Sequence, residues 1–461
     1  MLFVEPRFLI FFALIFAIYW AMPWHKGRKL FLLGGSYLFY AAWDWRFLGL
    51  ILLSTIVDFV IGQRIENNRA KKKSYVIISL IVNLGFLGIF KYFNFFVESA
   101  IDLASTFDLT LNHTTLNIIL PVGISFYTFQ TLSYTLDIYR KKLKPQKDIF
   151  DFALFVAFFP QLVAGPIVRA KDFLPQLKTK HLWSSIPVKA CLLLFLVGFI
   201  KKTVISDNLA FTIDQVFSDP DSYTHLSIIT ANLLYTIQIY CDFSGYTDMA
   251  IAIAGLLGFK LAKNFDAPYL ATSIIGFWKR WHISLSTWLR DYLYISLGGN
   301  RKGELIRYRN LMLTMVLGGL WHGAAWTFVI WGLIHGLALS INHLWHKLKA
   351  PKIPALLSWA ITFYIVSACW IFFRANDITT ALSMAKSYTL IGDAGTQILG
   401  DLYIFILVGL LGLHFIWRKA QLEQKLVSLS APIFSGLLGM AVPLILLFHP
   451  AGYQPFIYFQ F

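Results

Sequence analysis

At 461 residues, 57% hydrophobic and 14% charged, with a mean hydropathy of +0.63, the chain lies far outside the composition of a soluble globular protein and leaves no room for a large water-soluble domain. Its formal net charge of +16 is divided among short connectors and not gathered on one face, so membrane lipid is an expected partner and nucleic acid is not. Cys191, Cys241 and Cys369 stand in apolar runs without CxxC spacing, which indicates neither a disulfide framework nor a zinc site.

The first apolar run, Phe8 to Pro23, ends in Tyr and Trp and has its cationic flank after it, without a small-residue cleavage motif. It is expected to be an uncleaved first span. A short hairpin turning at Trp43-Asp44-Trp45-Arg46 follows. Basic residues recur at Lys26 to Lys29, Arg64 to Lys73, Arg140 to Lys147, Arg301 to Arg309, Lys347 to Lys352 and Arg418 to Lys425, the positive-inside pattern of a multispanning protein. With Arg64 to Lys73, Arg140 to Lys147 and Arg418 to Lys425 inside, both termini are expected outside. Tyr75 to Phe90 and Thr115 to Asp137 read as spans, each near the ~20 residues a crossing helix needs.

Two segments resist this counting. The apolar piece between Lys147 and Arg169 contains Pro160 and Gly165-Pro166 and is too short to cross twice, so a re-entrant or broken helix is expected, as it is around Pro121-Val122-Gly123. Such backbone survives at membrane depth only against protein or a water-filled cavity. No repeat and no low-complexity linker divides the chain. It is read as an all-α polytopic domain over 1–461 with about a dozen spans and several partial ones. A last span from Pro432 to Leu447 leaves 448–461 as a short outer-face tail.

Within the apolar stretch Leu311 to Ser340 lies Trp321-His322-Gly323-Ala324-Ala325-Trp326. An ionisable residue in such a setting is a functional candidate, although a buried histidine can also simply bond a carbonyl and hold helices together. Gly319 and Gly323 allow another helix to approach closely. His335, further along the same stretch, lacks polar surroundings and is read as structural. A neutral imidazole with a reference pKa of about 6.5 can take a proton from an attacking hydroxyl near neutral pH, and exclusion of water protects an activated acyl donor.

Upstream, Trp278 to Tyr292 contains Trp281, His282, Ser284, Trp288, Arg290 and Asp291, too polar and bulky for lipid. It is either an interfacial anchor or part of the reaction centre, with Arg290 and Asp291 pairing to orient it. Lys279 and Arg280 either meet an anionic donor or snorkel. Asp242 and Asp248, in Tyr240 to Asp248, are expected to share a helix face and either line a polar cavity or bind basic partners such as Arg280. No G-x-S-x-G, H-E-x-x-H, P-loop or dinucleotide motif is present, and His343 and His346 lack further ligands at metal spacing, so no metal and no nucleotide hydrolysis is expected. The competing class is a transporter or flippase with a His/Asp proton relay; the inverted repeat that would favour it is not seen.

In combination, Pro121 to Asp137, Phe159 to Ile167, Asp242 to Asp248, Trp278 to Gly299, Trp321 to Trp326 and Phe372-Phe373-Arg374-Ala375 resemble the membrane-bound O-acyltransferase family. The likeness is strongest to its bacterial branch, which contains the alginate O-acetylation membrane protein. The resemblance implies His322 as the catalytic histidine, His282 as the second family histidine, and a many-helix bundle with an outer funnel and a cytoplasmic tunnel. It also implies a bacterial inner-membrane location, no bound cofactor, acetyl-CoA or another acyl thioester as donor, and an outer-face serine-type (SGNH-like) acyltransferase partner that modifies an envelope polysaccharide. Phe456-Ile457-Tyr458 matches the branch's C-terminal motif, which suggests Tyr458 as a transient acyl carrier. A phenol with pKa near 10 is a better leaving group than a sugar hydroxyl; the alternative for Tyr458 is an aromatic membrane anchor. A D-alanyl or lipid acyltransferase is the nearer rival within the enzymes.

Overall fold

The computed structural model describes all residues except 110–114, 117, 164, 451, 453 and 458–461. The described residues form helices and loops, with one isolated bridge between Tyr223 and Gln397. They divide into two compact units, 1–188 with 250–262, and 189–249 with 263–461.

In the first unit, α1 (Pro6–Ala21), α2 (His25–Asp44), α3 (Leu48–Asn67) and α4 (Lys72–Leu87) follow in close succession. The expected turn after α2 is present, and the Asp44 carboxylate accepts from the backbone N–H of Arg46 at 3.0 Å. The expected span Tyr75–Phe90 is longer than read: a wide turn at Gly88–Tyr92 leads directly into α5 (Phe93–Ser105). The expected span Thr115–Asp137 begins later, as α6 (Ile124–Tyr139). Pro121 cannot donate a helical hydrogen bond, and Gly123 adopts φ +76°, so helix starts only after both.

The two segments read as broken meet each other. A Cβ on Gly123 would lie 2.5 Å from the Leu162 carbonyl. Helix α7 (Ile149–Ala157) stops there, and a four-residue helix Phe159–Leu162 follows. Backbone released by these breaks is bonded within the unit, with Tyr40 Oη donating to Val122 O at 3.1 Å and Phe159 N to Ser36 Oγ at 3.2 Å, as non-helical backbone away from water requires. A polar ladder joins α3, α4 and α6: Asp58 accepts from Ser79 (2.5 Å) and Asn83 (2.8 Å), and Asn83 accepts from Ser54 (2.9 Å) and Thr131 (3.2 Å). Where lipid supplies no hydrophobic drive between helices, such bonds hold them in register.

The second unit contains α8 (Val188–Phe199) from Lys189 onward, a wide turn Ile200–Ser206, α9 (Asp207–Ser218) and α10 (His225–Leu256), whose last turns from Ala250 belong to the first unit. It continues with short α11 (Ile274–Trp278) and α12 (Ile283–Trp288), then α13 (Glu304–His322), α14 (Trp326–Lys347), α15 (Ala355–Arg374), α16 (Ile378–Tyr388), α17 (Leu402–Lys419) and α18 (Ala431–Leu447). Among the described residues, five helical runs are long and apolar enough to cross a membrane: His25–Asn67, Arg69–Ser105, Trp326–Lys347, Ala355–Arg374 and Leu402–Lys419. That is fewer than the dozen spans counted from hydropathy, because turns and prolines cut several apolar stretches into shorter pieces. Helix α10 is long, at 32 residues, but carries Gln238, Asp242, Ser244, Thr247 and Asp248 along its middle.

The apolar stretch holding His322 is not one span. Gly323 and Ala325 are extended, so α13 and α14 fold back on each other as an antiparallel hairpin. A Cβ on Gly319 would lie 2.2 Å from Phe328 O, one on Gly332 2.4 Å from Met315 O, and one on Gly336 2.7 Å from Met312 Sδ. Each step forward along one helix meets a step back along the other. His322 thereby sits in the last turn of α13, at the hairpin's tip. Gly332→Leu is expected to lower the melting temperature of the detergent-solubilised protein, by overpacking on the order of 1–3 kcal/mol. Gly412→Ala in α17, where nothing lies within 4 Å, should melt like wild type; equal melting of both variants would contradict the close crossing.

Candidate active site

His282 is positioned by its backbone before its side chain. It stands at the N-terminus of α12 with φ +43°, a left-handed conformation that a non-glycine residue holds only when its surroundings enforce it. The enforcement comes from residues 264–266 running beside 280–284: Asp266 N donates to Arg280 O (2.9 Å), Ile283 N to Asn264 O (2.9 Å), and Ser284 N to Asn264 Oδ1 (3.0 Å). His282 Nδ1 lies 3.1 Å from the same Asn264 oxygen.

His322 arrives from the α13 tip, its ring centroid 6.5 Å from that of His282. Trp321 lies 5.0 Å from His322 and 6.0 Å from His282. Trp331 (5.1 Å) and Phe373 (5.2 Å) complete an aromatic surround for His322. Both histidines are buried. A basic nitrogen and an acyl group brought together here would react with little competition from water.

A second cluster adjoins this pair. Helices α8 and α10 cross at Gly198 and Gly245, where a Cβ on either glycine would come within 2.6 Å of the other's carbonyl oxygen. This close crossing sets the wide turn after α8 against α10. Lys202 bonds Asp242 at 2.6 Å and Asp207 at 2.8 Å, with all three side chains nearly inaccessible. One lysine against two carboxylates leaves a formal negative charge, and the C-terminal segment answers it: Ile457 N donates to Asp242 Oδ2 (2.9 Å), while Lys202 Nζ donates to Gln454 O (3.2 Å). Phe456 is fully buried, with its ring 5.7 Å from Phe243 and 5.1 Å from Tyr246. Phe243 in turn meets the His282 ring edge-on at 4.6 Å. One aromatic side chain therefore connects the docked tail to the histidine pair. Tyr458 lies outside the described residues.

The other expected residues divide. Ser284 belongs to the Asn264 cluster, its hydroxyl donating to Asn264 Oδ1 at 2.9 Å. Trp281 is buried against Phe265 (5.0 Å) and Trp370 (4.9 Å), packing the base of the site, and the Trp288 ring lies tilted against Tyr292 at 5.1 Å. Arg290 is exposed and pairs with its neighbour Asp291 at 2.7 Å. Asp242 and Asp248 do not share a face: they are six residues apart, and at ~100° per residue they diverge by about 120°. Nor does Arg280 serve them, since it bonds the Asp266 backbone at 3.4 Å while Asp248 pairs with Lys201 at 2.7 Å. His335 lies among Trp278 (5.0 Å), Trp331 (4.7 Å) and Phe277 (6.2 Å), an aromatic stack behind the site. Sequence reasoning passed over Lys202, Asp207, Asn264 and Phe243. Adjacent lysines at 201–202 inside an apolar run were a visible signal; a single Asn and a single Phe were not.

A protein-family comparison matches residues 146–376 to the membrane-bound O-acyltransferase family. The chain belongs to that family. It is 43% identical over 397 residues to a probable alginate O-acetylase of Azotobacter vinelandii, covering 85% of this chain and 79% of the relative. It is 38% identical to a probable alginate O-acetylase of Pseudomonas putida over the whole length of both. It is 40% identical over 391 residues to a peptidoglycan O-acetyltransferase of Helicobacter pylori, covering 78% of this chain and 73% of the relative. This member of the membrane-bound O-acyltransferases is thus a multi-pass membrane enzyme that transfers acyl groups to oxygen.

The docked tail supplies a test of the ion cluster. Asp242→Ala removes the acceptor for Ile457 N–H and leaves Lys202 with one carboxylate, a break on the order of 3–5 kcal/mol for a buried pair. Carboxypeptidase should then trim the C-terminus of the detergent-solubilised variant much faster than that of wild type. Unchanged trimming would show that the tail is held elsewhere.

Proposed function

We propose that this acyltransferase takes an acetyl group from a cytoplasmic thioester, acetyl-CoA, and delivers it to the outer face of a bacterial inner membrane for O-acetylation of an envelope or extracellular polysaccharide. The observation that carries this reading is the convergence of His282, His322 and the docked C-terminal segment. A basic pair and a chain end lie together, joined through Phe243. The acetylase names of the relatives support acetyl as the group and a cell-envelope polymer as the destination.

In this reading His322 accepts the proton of the attacking hydroxyl as its oxygen adds to the thioester carbonyl, and returns it to the departing thiolate as the C–S bond breaks. His282 positions the donor or stabilises the developing oxyanion. A funnel on the outer side and a tunnel from the cytoplasm give the two substrates separate approaches. Tyr458, one residue beyond the Ile457 contact, is the first acceptor. Its phenol ester keeps enough transfer potential for a second step, in which a serine-type acyltransferase at the outer face receives the group. The basic loops Arg64 to Lys73, Arg140 to Lys147 and Arg418 to Lys425 lie in the cytoplasm, with both termini outside.

His322→Ala is expected to abolish polymer acetylation, by at least about 100-fold, while abundance and membrane insertion stay normal. Retained acetylation in membranes holding the variant would remove His322 from the chemistry. For the tail, Tyr458→Phe keeps the ring and deletes the nucleophilic oxygen, so an anchor tolerates the change and a carrier does not. Loss of polymer acetylation at normal abundance is expected, and mass spectrometry of the wild-type C-terminal peptide, prepared without the outer-face partner, should show one acetyl group. An alanyl adduct would reassign the acyl group. Full activity of the Phe variant would favour direct transfer from the histidine site to an external hydroxyl.

A further inference from the structure

The bonds around Asn264 identify which nitrogen of His282 carries the proton. Ser284 N, which can only donate, lies 3.0 Å from the Asn264 side-chain atom Oδ1, so that atom is the carbonyl oxygen and not the amide nitrogen. The Ser284 hydroxyl donates to the same oxygen at 2.9 Å. His282 Nδ1 lies 3.1 Å from that oxygen and 3.5 Å from the Ser284 hydroxyl oxygen; with the hydroxyl proton turned to Oδ1, both present lone pairs to Nδ1, which therefore carries N–H. In the neutral ring the lone pair then lies on Nε2. That nitrogen is buried and has no hydrogen-bond partner among the described residues. Buried polar atoms are ordinarily satisfied, so Nε2 is an acceptor that none of the described residues fills, on a ring fixed through its other nitrogen.

We propose that Asn264 is a positioning residue of the acyl transfer. It holds His282 in the Nδ1–H form and presents Nε2 to the substrate as a hydrogen-bond acceptor, so that His282 receives a substrate O–H or N–H. The proposal rests on the reading of His282 and His322 as the reaction centre, and it narrows that reading: a neutral His282 held in this way has no Nε2–H to offer the thioester oxyanion, which leaves substrate positioning as its role. The ring cannot readily escape the arrangement, because the Asn264 backbone oxygen also takes Ile283 N–H at 2.9 Å and the His282 backbone is locked at φ +43°. Asn264 itself is fully buried, out of reach of competing water.

The test combines a spectroscopic with a kinetic readout on the full-length enzyme in lipid. Nitrogen NMR of protein labelled at histidine, with His282 assigned by difference against His282→Gln, should show the His282 proton on Nδ1. Asn264→Asp retains an acceptor oxygen and should retain that form, with release of CoA from acetyl-CoA within about threefold of wild type. Asn264→Leu removes the acceptor; the proton should redistribute to Nε2, and kcat should fall by about tenfold or more with little change in the donor KM. A wild-type His282 proton on Nε2 overturns the proposal, and this measurement stands even if the Leu variant does not fold. So does a folded Leu variant with wild-type kcat. Those results leave the histidine site intact as long as His322→Ala is inactive, whereas an active His322→Ala overturns the site reading itself.

Discussion

Polar groups withdrawn from water are costly unless they are bonded within the chain, and that constraint organises both units. An unsatisfied backbone group in hydrocarbon costs several kcal/mol, and the two helix breaks of the first unit are matched by features that receive them. The break at Gly123 lies against the break at Leu162. The released backbone at Val122 and Phe159 is taken up by Tyr40 and Ser36. Asp58 in the middle of α3 collects donors from α4. Irregularity and polarity are thereby converted into specific links between helices, in a setting where apolar contact alone distinguishes poorly between neighbours.

The same constraint gives the C-terminal segment its place. Lys202 faces Asp207 and Asp242 with almost no access to solvent, and breaking such a cluster is far more costly than forming it is favourable. Because the cluster has one carboxylate in excess, it remains a ready acceptor for a peptide N–H, and Ile457 provides one. A terminal segment of aromatic composition, which in isolation resembles a loose anchor, is tied to the helix bearing Phe243 and through it to His282.

The two histidines illustrate how different surroundings adapt the same side chain. His322 rises at the end of a helix among tryptophan and phenylalanine rings. His282 is gripped through one nitrogen by an amide oxygen.

The composition alone established a multi-pass helical membrane protein, since no soluble core can absorb 57% hydrophobic residues with so few charges, and the motifs in combination were enough to name the family. Proline and glycine, whose effects on the backbone are local, marked the breaks at Gly123 and Pro160 correctly. What depended on distance along the chain was not legible. Leu311 to Ser340 reads as one apolar stretch because hydropathy does not register a reversal, and only the glycine contacts of α13 with α14 reveal that His322 lies at a hairpin's tip. Asp242 called for a cation, but whether Arg280 or Lys202 would supply it was decided by the crossing at Gly198 and Gly245. Asn264 carries no signature at all in sequence; it acquires a role because the fold sets 264–266 beside 280–284, and a hydrogen bond depends on where atoms are in space and not on their order in the chain.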